Sequence, residues 1–432
     1  MLHTTHTEEP NLTYDLIIIG AGAAGLFAGA SLPNKINGLI LEKSASPGKK
    51  LLMSGAGQCN LTHGGSIKDF ITHYGARGKK IRTVLYRFSN DSVIDFFEKN
   101  EIALFEREDG KIFPKSLRAK DILDCLTSQC QRNGMKLCFS TPVENISYRE
   151  PAEGNDGLYV IQTGSFVFTA KKIIISTGGC SYPSTGSDGS LFPVLEALGI
   201  AVKPLHPALV PIHVQQYPYS DLSGISFQNA AVTLYSKEGK RVAENIGPLL
   251  FTRNHFSGPG ILNLSRYVTE GMQLSLSYCT GKSDEVLIKE LTTALSSSSK
   301  QLLTELYEYF NGNRNAEGRE SEMPKRFLET LCRRAGTDPA VKASAVSRIL
   351  LRSIVKLLLQ DRFTISSTDG FSAAMVTAGG ISLDEINLKT MESNQYLGMY
   401  FAGEVLDVDG DTGGYNLQFA FSSGWLAANS AV

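Results

Sequence analysis

The sequence lacks the features that would commit it to several large classes of protein. It has no excess of either charge: 42 Lys and Arg stand against 43 Asp and Glu, for a formal charge of -1. No net field therefore draws it to nucleic acid or to an anionic membrane, local patches apart, and no RNA-binding signature is present. It has no Cys-x-x-Cys, and its seven cysteines are odd in number and scattered. That excludes a disulfide-reductase dithiol and reads as reduced thiols in a cytoplasmic protein. Cys125 and Cys130 match no common zinc spacing and read as core or surface thiols. The one long apolar run, Leu16 to Leu32, follows Glu8, Glu9 and Asp15, holds four glycines and lacks a basic leader, so it reads as neither an export signal nor a membrane span. Residues 1 to 12 show no periodicity and read as a mobile tail.

What is present starts in that same run. YDLIIIGAGAAGLFAGASL is a β-branched strand, then Gly20-Ala21-Gly22-Ala23-Ala24-Gly25, then an Ala-rich helix. The three glycines meet three separate needs. Gly20 makes the tight turn, Gly22 lets a pyrophosphate approach the backbone, and Gly25 lets the helix lie close to the strand. The helix N-terminus then offers free N–H groups and partial positive charge to the phosphates. A second strand ends at Glu42, where a carboxylate meets an adenosine ribose; an acid here also argues against a 2′-phosphate. The ligand is FAD or NAD(H). No second Gly-x-Gly-x-x-Gly occurs, so a dedicated NAD(P)H domain is unsupported, and NAD(P)H enters only as a transient electron donor.

Three further regions bear on the same site. KKIIISTGG is a strand running into a Gly-rich loop, which brings Thr177 and Gly178 back over the cofactor, and Val143 after Pro142 offers backbone groups to an adenine edge. At the far end, a strand meets Gly403-Glu404, then Asp407, Asp409 and Asp411, and Gly413-Gly414-Tyr415-Asn416 opens an apolar helix whose N-terminus suits a reduced, negatively charged flavin. The aspartates lack an EF-hand pattern, and no metal is expected. Between these regions, short strand-like runs from Pro204 suggest a β-barrel or sandwich, and from Ser283 to Gln360 apolar residues recur at helical spacing (Leu287, Leu291, Leu295, Phe327, Leu331, Ile349 to Leu358). The polar stretch 311–323 reads as an exposed connector.

The stretch Ser54 to Gly65, SGAGQCNLTHGG, has the glycines of a phosphate loop without its Lys-Ser/Thr ending. Together with the first glycine motif, FPKS, STGGCSYPSTGSDG, LLFTRNHFSGPGILNLS, VTAGGISLDEINLKTMES and YFAGEVLDVDGDTGGYNLQFAFSSG, it resembles the BaiN-like family of bacterial NAD(P)/FAD-dependent oxidoreductases, in the family's order from about Asp15 to Gly424. Arg253 departs from the pattern, standing where the family favours His. The resemblance implies FAD and redox chemistry, with relatives acting as a bile-acid-type reductase or an aminoacetone oxidase. It also implies that residues 49–62 wrap the flavin, with Lys49, Ser54, Gly57, Cys59 and Asn60 near the pyrophosphate, ribitol or ring.

The expected fold is α/β, a Rossmann-like FAD-binding domain with an inserted β-barrel-like plus helical domain: 14–203 and 363–432 bind FAD, 204–282 is β-rich and 283–362 helical. The expected cofactor residues are Gly20, Gly22, Ala24, Gly25, Glu42, Lys43, Lys49, Ser54, Gly57, Cys59, Asn60, Val143, Thr177, Gly178, Gly403, Glu404, Asp407, Gly414, Tyr415, Asn416 and Leu417. No catalytic acid or base stands out. Cys59 reads as an inert neighbour of the cofactor. Arg77, Lys79, Lys80, Arg82 and Arg87 read as a solvated helix face. His63, His73, His206, His213 and His255 lack regular spacing, although the resemblance brings His255 toward the flavin, and Tyr182 reads as an aromatic wall or a proton donor near the ring. The expected activity is hydride transfer through FAD between NAD(P)H or a small organic molecule and an acceptor. An amine-type oxidase is the alternative, and a flavoprotein acting on tRNA comes after it. A small-molecule substrate, no nucleic acid and no membrane are expected, and the oligomeric state is left open.

Overall fold

The computed structural model describes residues 13–150, 157–312 and 323–432. The supposed tail at 1–12 and most of the supposed connector at 311–323 lie outside them. The described chain forms two compact units, one from residues up to Ala208 and from Phe371 onward, the other Leu209–Gly370.

The first unit is built on a parallel sheet. Thr13–Ile19 lies between Gly38–Leu41 and Val167–Ile175; Met135–Cys138 extends one side and Met399–Phe401 the other. Leu16 to Ile19, Leu39 to Leu41 and Ile173 to Ile175 are buried, as β-branched runs covered on both faces must be. Val143–Arg149 and Leu158–Thr163 form an antiparallel excursion that returns into Val167–Ile175. The helix Ala23–Ala30 is buried along nearly its whole length. It packs against the C-terminal helix Tyr415–Ala431 so closely that a Cβ on Gly424 would lie 2.6 Å from the Ala24 carbonyl oxygen.

The second unit is a closed six-stranded barrel, Ile212–Val214, Phe256–Ser257, Arg241–Phe251, Ser226–Tyr235, Gln273–Ser277 and Asp361–Thr368, with the helices Asp284–Ser296, Leu302–Asn311, Lys325–Arg334 and Arg348–Leu359 and the single turn Pro259–Leu262. Its core gathers Tyr219, Phe227, Phe251, Phe256, Tyr278 and Phe327, and the buried Asp361 carboxylate pairs with the partly exposed Arg334 at 2.7 Å. The hydroxyls of Tyr219 (2.5 Å) and Tyr278 (3.0 Å) also donate to Asp361.

Both boundaries of the insertion differ from the sequence-based ones at 204 and 362. Val202–Ala208 pairs with Val376–Ile381 in the first unit, so the chain leaves that unit only after Ala208. Asp361–Thr368, which the sequence-based boundary at 362 cuts and whose residues 363–368 it gave to the cofactor domain, closes the barrel between Ile212–Val214 and Gln273–Ser277. The helices share one hydrophobic core with the barrel and do not form a separate body.

Candidate functional site: a dinucleotide cradle

The turn after the first strand has the geometry its glycines suggest. Gly20 sits at φ +103°, and a Cβ there would come within 2.6 Å of the Ser176 carbonyl oxygen; one on Gly25 would fall 2.0 Å from the carbonyl oxygen of Gly20. Gly22, the N-cap of Ala23–Ala30, faces open space with nothing within 4 Å. The Ser176 hydroxyl ties the turn to the neighbouring strand by donating to the carbonyls of Ile19 and Gly20, both at 3.0 Å. Glu42 closes the other side, its carboxylate accepting from the N–H of Ala21 at 2.9 Å and of Ser44 at 2.7 Å. A cleft opens here, lined by Gly20, Glu42, Lys43, Val143 and Thr177 among others. Ala24 lies in the first turn of the helix, and Gly178, at φ +76°, carries the chain away from Thr177. Lys43 crosses the rim to Asp188 at 2.5 Å and Ser190 at 3.1 Å.

The loop that follows is held in a rare conformation. Gly55, Ala56, Gly57 and Cys59 all have φ between 56° and 84°. For the two that are not glycine this costs on the order of 1 kcal/mol each, a strain that persists only where the surroundings enforce it. Cys59 is fully buried, and burial pushes its thiol up to about 12. It stays a thiol at neutral pH, which fits the inert role read from sequence. Beside it Asn60 Oδ1 is buried with no hydrogen-bond partner among the described residues, although buried polar atoms are nearly always satisfied. Ser54 turns its hydroxyl to the Leu51 carbonyl at 2.6 Å.

The C-terminal segment reaches the same place. Gly403, at φ +76°, passes so near the first helix that a Cβ would lie 2.7 Å from that of Ala24. Glu404 then accepts from Lys50 Nζ at 2.7 Å, the Ser181 hydroxyl at 2.6 Å and the Thr377 N–H at 2.9 Å. The Thr377 hydroxyl in turn accepts from the N–H groups of Cys180 and Ser181 at 2.8 and 3.1 Å. Four segments distant in sequence are joined by one carboxylate. Lys50, Ser181 and Thr377 were missed from sequence, which singled out Lys49. A signal for them existed, since Ser181 and Thr377 stand inside the family's motifs and Lys50 inside the flavin-wrapping segment 49–62.

The acidic turn is internally committed. Asp407 is gripped by the Arg77 guanidinium at 2.8 to 3.1 Å, and Asp411 meets His73 Nδ1 at 3.0 Å. Arg77 is thus no solvated member of its basic cluster. The Asn416 amide accepts from Gly410 N–H at 2.8 Å and donates to the Gly410 carbonyl at 2.9 Å, folding the turn back on the helix start. A Cβ on Gly414 would strike the Thr62 carbonyl oxygen at 2.5 Å. The Tyr415 ring stacks with two imidazoles, His73 at 4.0 Å and His63 at 5.4 Å, each within 15° of parallel. Leu417 is partly buried against the core of this unit. Tyr182, at φ +51°, is anchored through its N–H to the Phe371 carbonyl.

In the second unit His213 Nε2 meets Asp369 Oδ1 at 2.8 Å, with His255 stacked edge-on 5.0 Å away. Burial first, then His213, pushes His255 below the ordinary imidazole value, while Asp369 pulls the other way. Arg253 and His206 are exposed.

An open Gly22 at a helix N-terminus, an acid at the end of the second strand, a backbone-lined cleft and an orphaned amide oxygen in the Cys-Asn loop are a donor and acceptor set that fits FAD. The fold and site define an FAD-dependent oxidoreductase with a Rossmann-type nucleotide domain. The chain belongs to the HI0933-like protein Rossmann domain family, whose model matches residues 14–430. It is 32% identical to the ribosomal RNA dihydrouridine synthase of Haemophilus influenzae, over 96% of this chain and 97% of that one. It is 29% identical to the 3-dehydro-bile acid delta(4,6)-reductase of Clostridium scindens, over 96% and 98%. Among solved structures, the 3-ketosteroid-delta4-(5alpha)-dehydrogenase of Rhodococcus jostii RHA1 shares the fold at 14% identity and a TM-score of 0.51, covering 99% and 98% of the two chains. Among the described residues no helix is long and apolar enough to cross a membrane.

Proposed function

We propose that this protein reduces a carbon–carbon double bond conjugated to a carbonyl, and that its substrate is the uracil base of ribosomal RNA. The observation that carries the reading is the full-length match to the ribosomal RNA enzyme, beside a glycine turn whose geometry fits FAD. The bile-acid enzyme at 29% identity supports the chemistry, since the double bond of uracil and that of a dehydro-ketone are both activated by a neighbouring carbonyl. This goes against the sequence-level expectation of no nucleic-acid partner, which rested on net charge and the lack of an RNA-binding signature.

When bound, FAD would supply two electrons as hydride, taken from NAD(P)H and passed to the double bond, the adjacent carbon gaining a proton from solvent or an acid. The chain's own part is to hold and orient. The turn at Gly20 to Gly25 would hold the pyrophosphate against its N–H groups, and Glu42, whose two oxygens each accept one backbone N–H, keeps further lone pairs that would accept from a ribose hydroxyl. Asn60 presents its free amide oxygen to an N–H donor. The Lys50–Glu404 pair fixes the relation of the Cys-Asn loop to the C-terminal segment.

The test is anaerobic incubation of the purified protein with NADH or NADPH and ribosomal RNA, followed by nucleoside mass spectrometry. Uridine gaining two hydrogens supports the reading. Oxidation of NAD(P)H with uridine untouched, while a dehydro-ketosteroid is reduced, rejects RNA in favour of a small enone.

A further inference from the structure

The helix Gly78–Arg87, GKKIRTVLYR, carries four cations and no acid, and nothing in the cradle uses it. Gly78, Ile81, Val84 and Leu85 are buried, and the helix packs on Tyr415–Ala431 in the same unit. At about 100° per residue this turns Lys79, Lys80, Arg82, Tyr86 and Arg87 to one outer face, with Tyr86 between Arg82 and Lys79, and all five are exposed. Tyr86 keeps 46% of its surface open to solvent, and the Arg82 guanidinium lies 5.2 Å from its ring centre. Lys80 meets Asp384 at 2.9 Å, but both side chains are more than half exposed and the pair is weak. Lys79, Arg82 and Arg87 have no ion-pair partner among the described residues.

We propose that this face docks a single RNA strand, with phosphates on Lys79, Arg82 and Arg87 and a base stacked on Tyr86. The inference rests on the reading of RNA as substrate and deepens it. Uncompensated cations around an exposed aromatic match a polyanion whose bases each carry a π-face. An anionic membrane fits less well, since an interfacial helix would offer Leu, Phe or Trp to the acyl boundary, and here the aliphatic side is consumed by the core. The helix also begins where Arg77 grips Asp407 of the C-terminal cofactor segment, so the docking face and the cradle share a rigid support.

The test uses the holoprotein, a fluorescein-labelled oligouridylate and anisotropy at several KCl concentrations. The triple variant Lys79→Gln/Arg82→Gln/Arg87→Gln is expected to bind roughly 10- to 100-fold more weakly at about 0.1 M salt, and to reduce the slope of log affinity against log salt by about 2. Tyr86→Ala is expected to lose roughly 10-fold and Tyr86→Phe to keep affinity. Arg348→Gln/Arg352→Gln/Lys356→Gln removes the same charge from an exposed helix face of the other unit and is expected to change little. Unchanged flavin spectra and melting temperatures certify folding. Equal loss in the two triple variants, no loss in either, no RNA binding by the parent, or tighter binding to phosphatidylglycerol vesicles would each overturn the proposal. Dihydrouridine formed equally well by parent and face variants sinks the docking face alone; a parent that reduces an enone but never uridine sinks the substrate reading.

Discussion

At the scale of single residues, Glu404 and Cys59 separate a working polar group from a passive one. Glu404 holds Lys50, Ser181 and Thr377 together, with about a fifth of its side chain exposed. Glu404→Gln leaves the Lys50 ammonium without its counter-charge and is expected to cost about 1–3 kcal/mol, read as a lower melting temperature and faster loss of flavin on dialysis. Cys59 is expected to resist alkylation in the folded protein at any pH where the fold survives. Its folded-state value near 12 lies above the ordinary value of 9.0. Between the two, the unfolded chain gives up a proton that the native state keeps, so stability falls as pH rises through that window. Cys59→Ser should flatten the decline; identical pH profiles for parent and variant would contradict the burial argument.

At the scale of elements, what was legible in the sequence was whatever backbone geometry forces on composition. Gly20, Gly22 and Gly25 are each demanded by a turn, an open face or a close contact, so the residue type itself announces the geometry. Gly414 belongs with them, and Gly414→Ala, with φ +100° and a Cβ 2.5 Å from the Thr62 carbonyl oxygen, is expected to destabilise by roughly 1–3 kcal/mol in chemical denaturation. Side-chain partnerships between distant segments were not legible. Nothing local marks Lys50 over Lys49, because the choice is made by a glutamate 354 positions away. Arg77 likewise has the local surroundings of a solvated cation, and only Asp407, 330 residues on, makes it otherwise. The barrel's last strand was misplaced for a related reason: a short alternating run fits either sheet until its partners at Ile212–Val214 and Gln273–Ser277 are known.

At the scale of the molecule, the two units have separate cores, and the second is pinned by Arg334 and Asp361. Asp361 is 1% exposed, and Asp361→Asn strands the Arg334 charge among aromatic rings, an expected loss of about 3–5 kcal/mol confined to the second unit. Hydrogen exchange read unit by unit checks this: deprotection of 209–370 with the first unit unchanged is expected, and uniform deprotection would contradict two independent cores. The larger claim is that both ends of the chain meet around one FAD, with its pyrophosphate on the first helix. The most direct measurement is titration of the apoprotein with FAD and with FMN, followed by quenching of flavin fluorescence. Saturation at one FAD per chain, with FMN at least roughly 100-fold weaker because it lacks the diphosphate and adenosine, is the expected result. Equal affinity for FMN, or no binding of FAD by a well-folded preparation, would contradict the account.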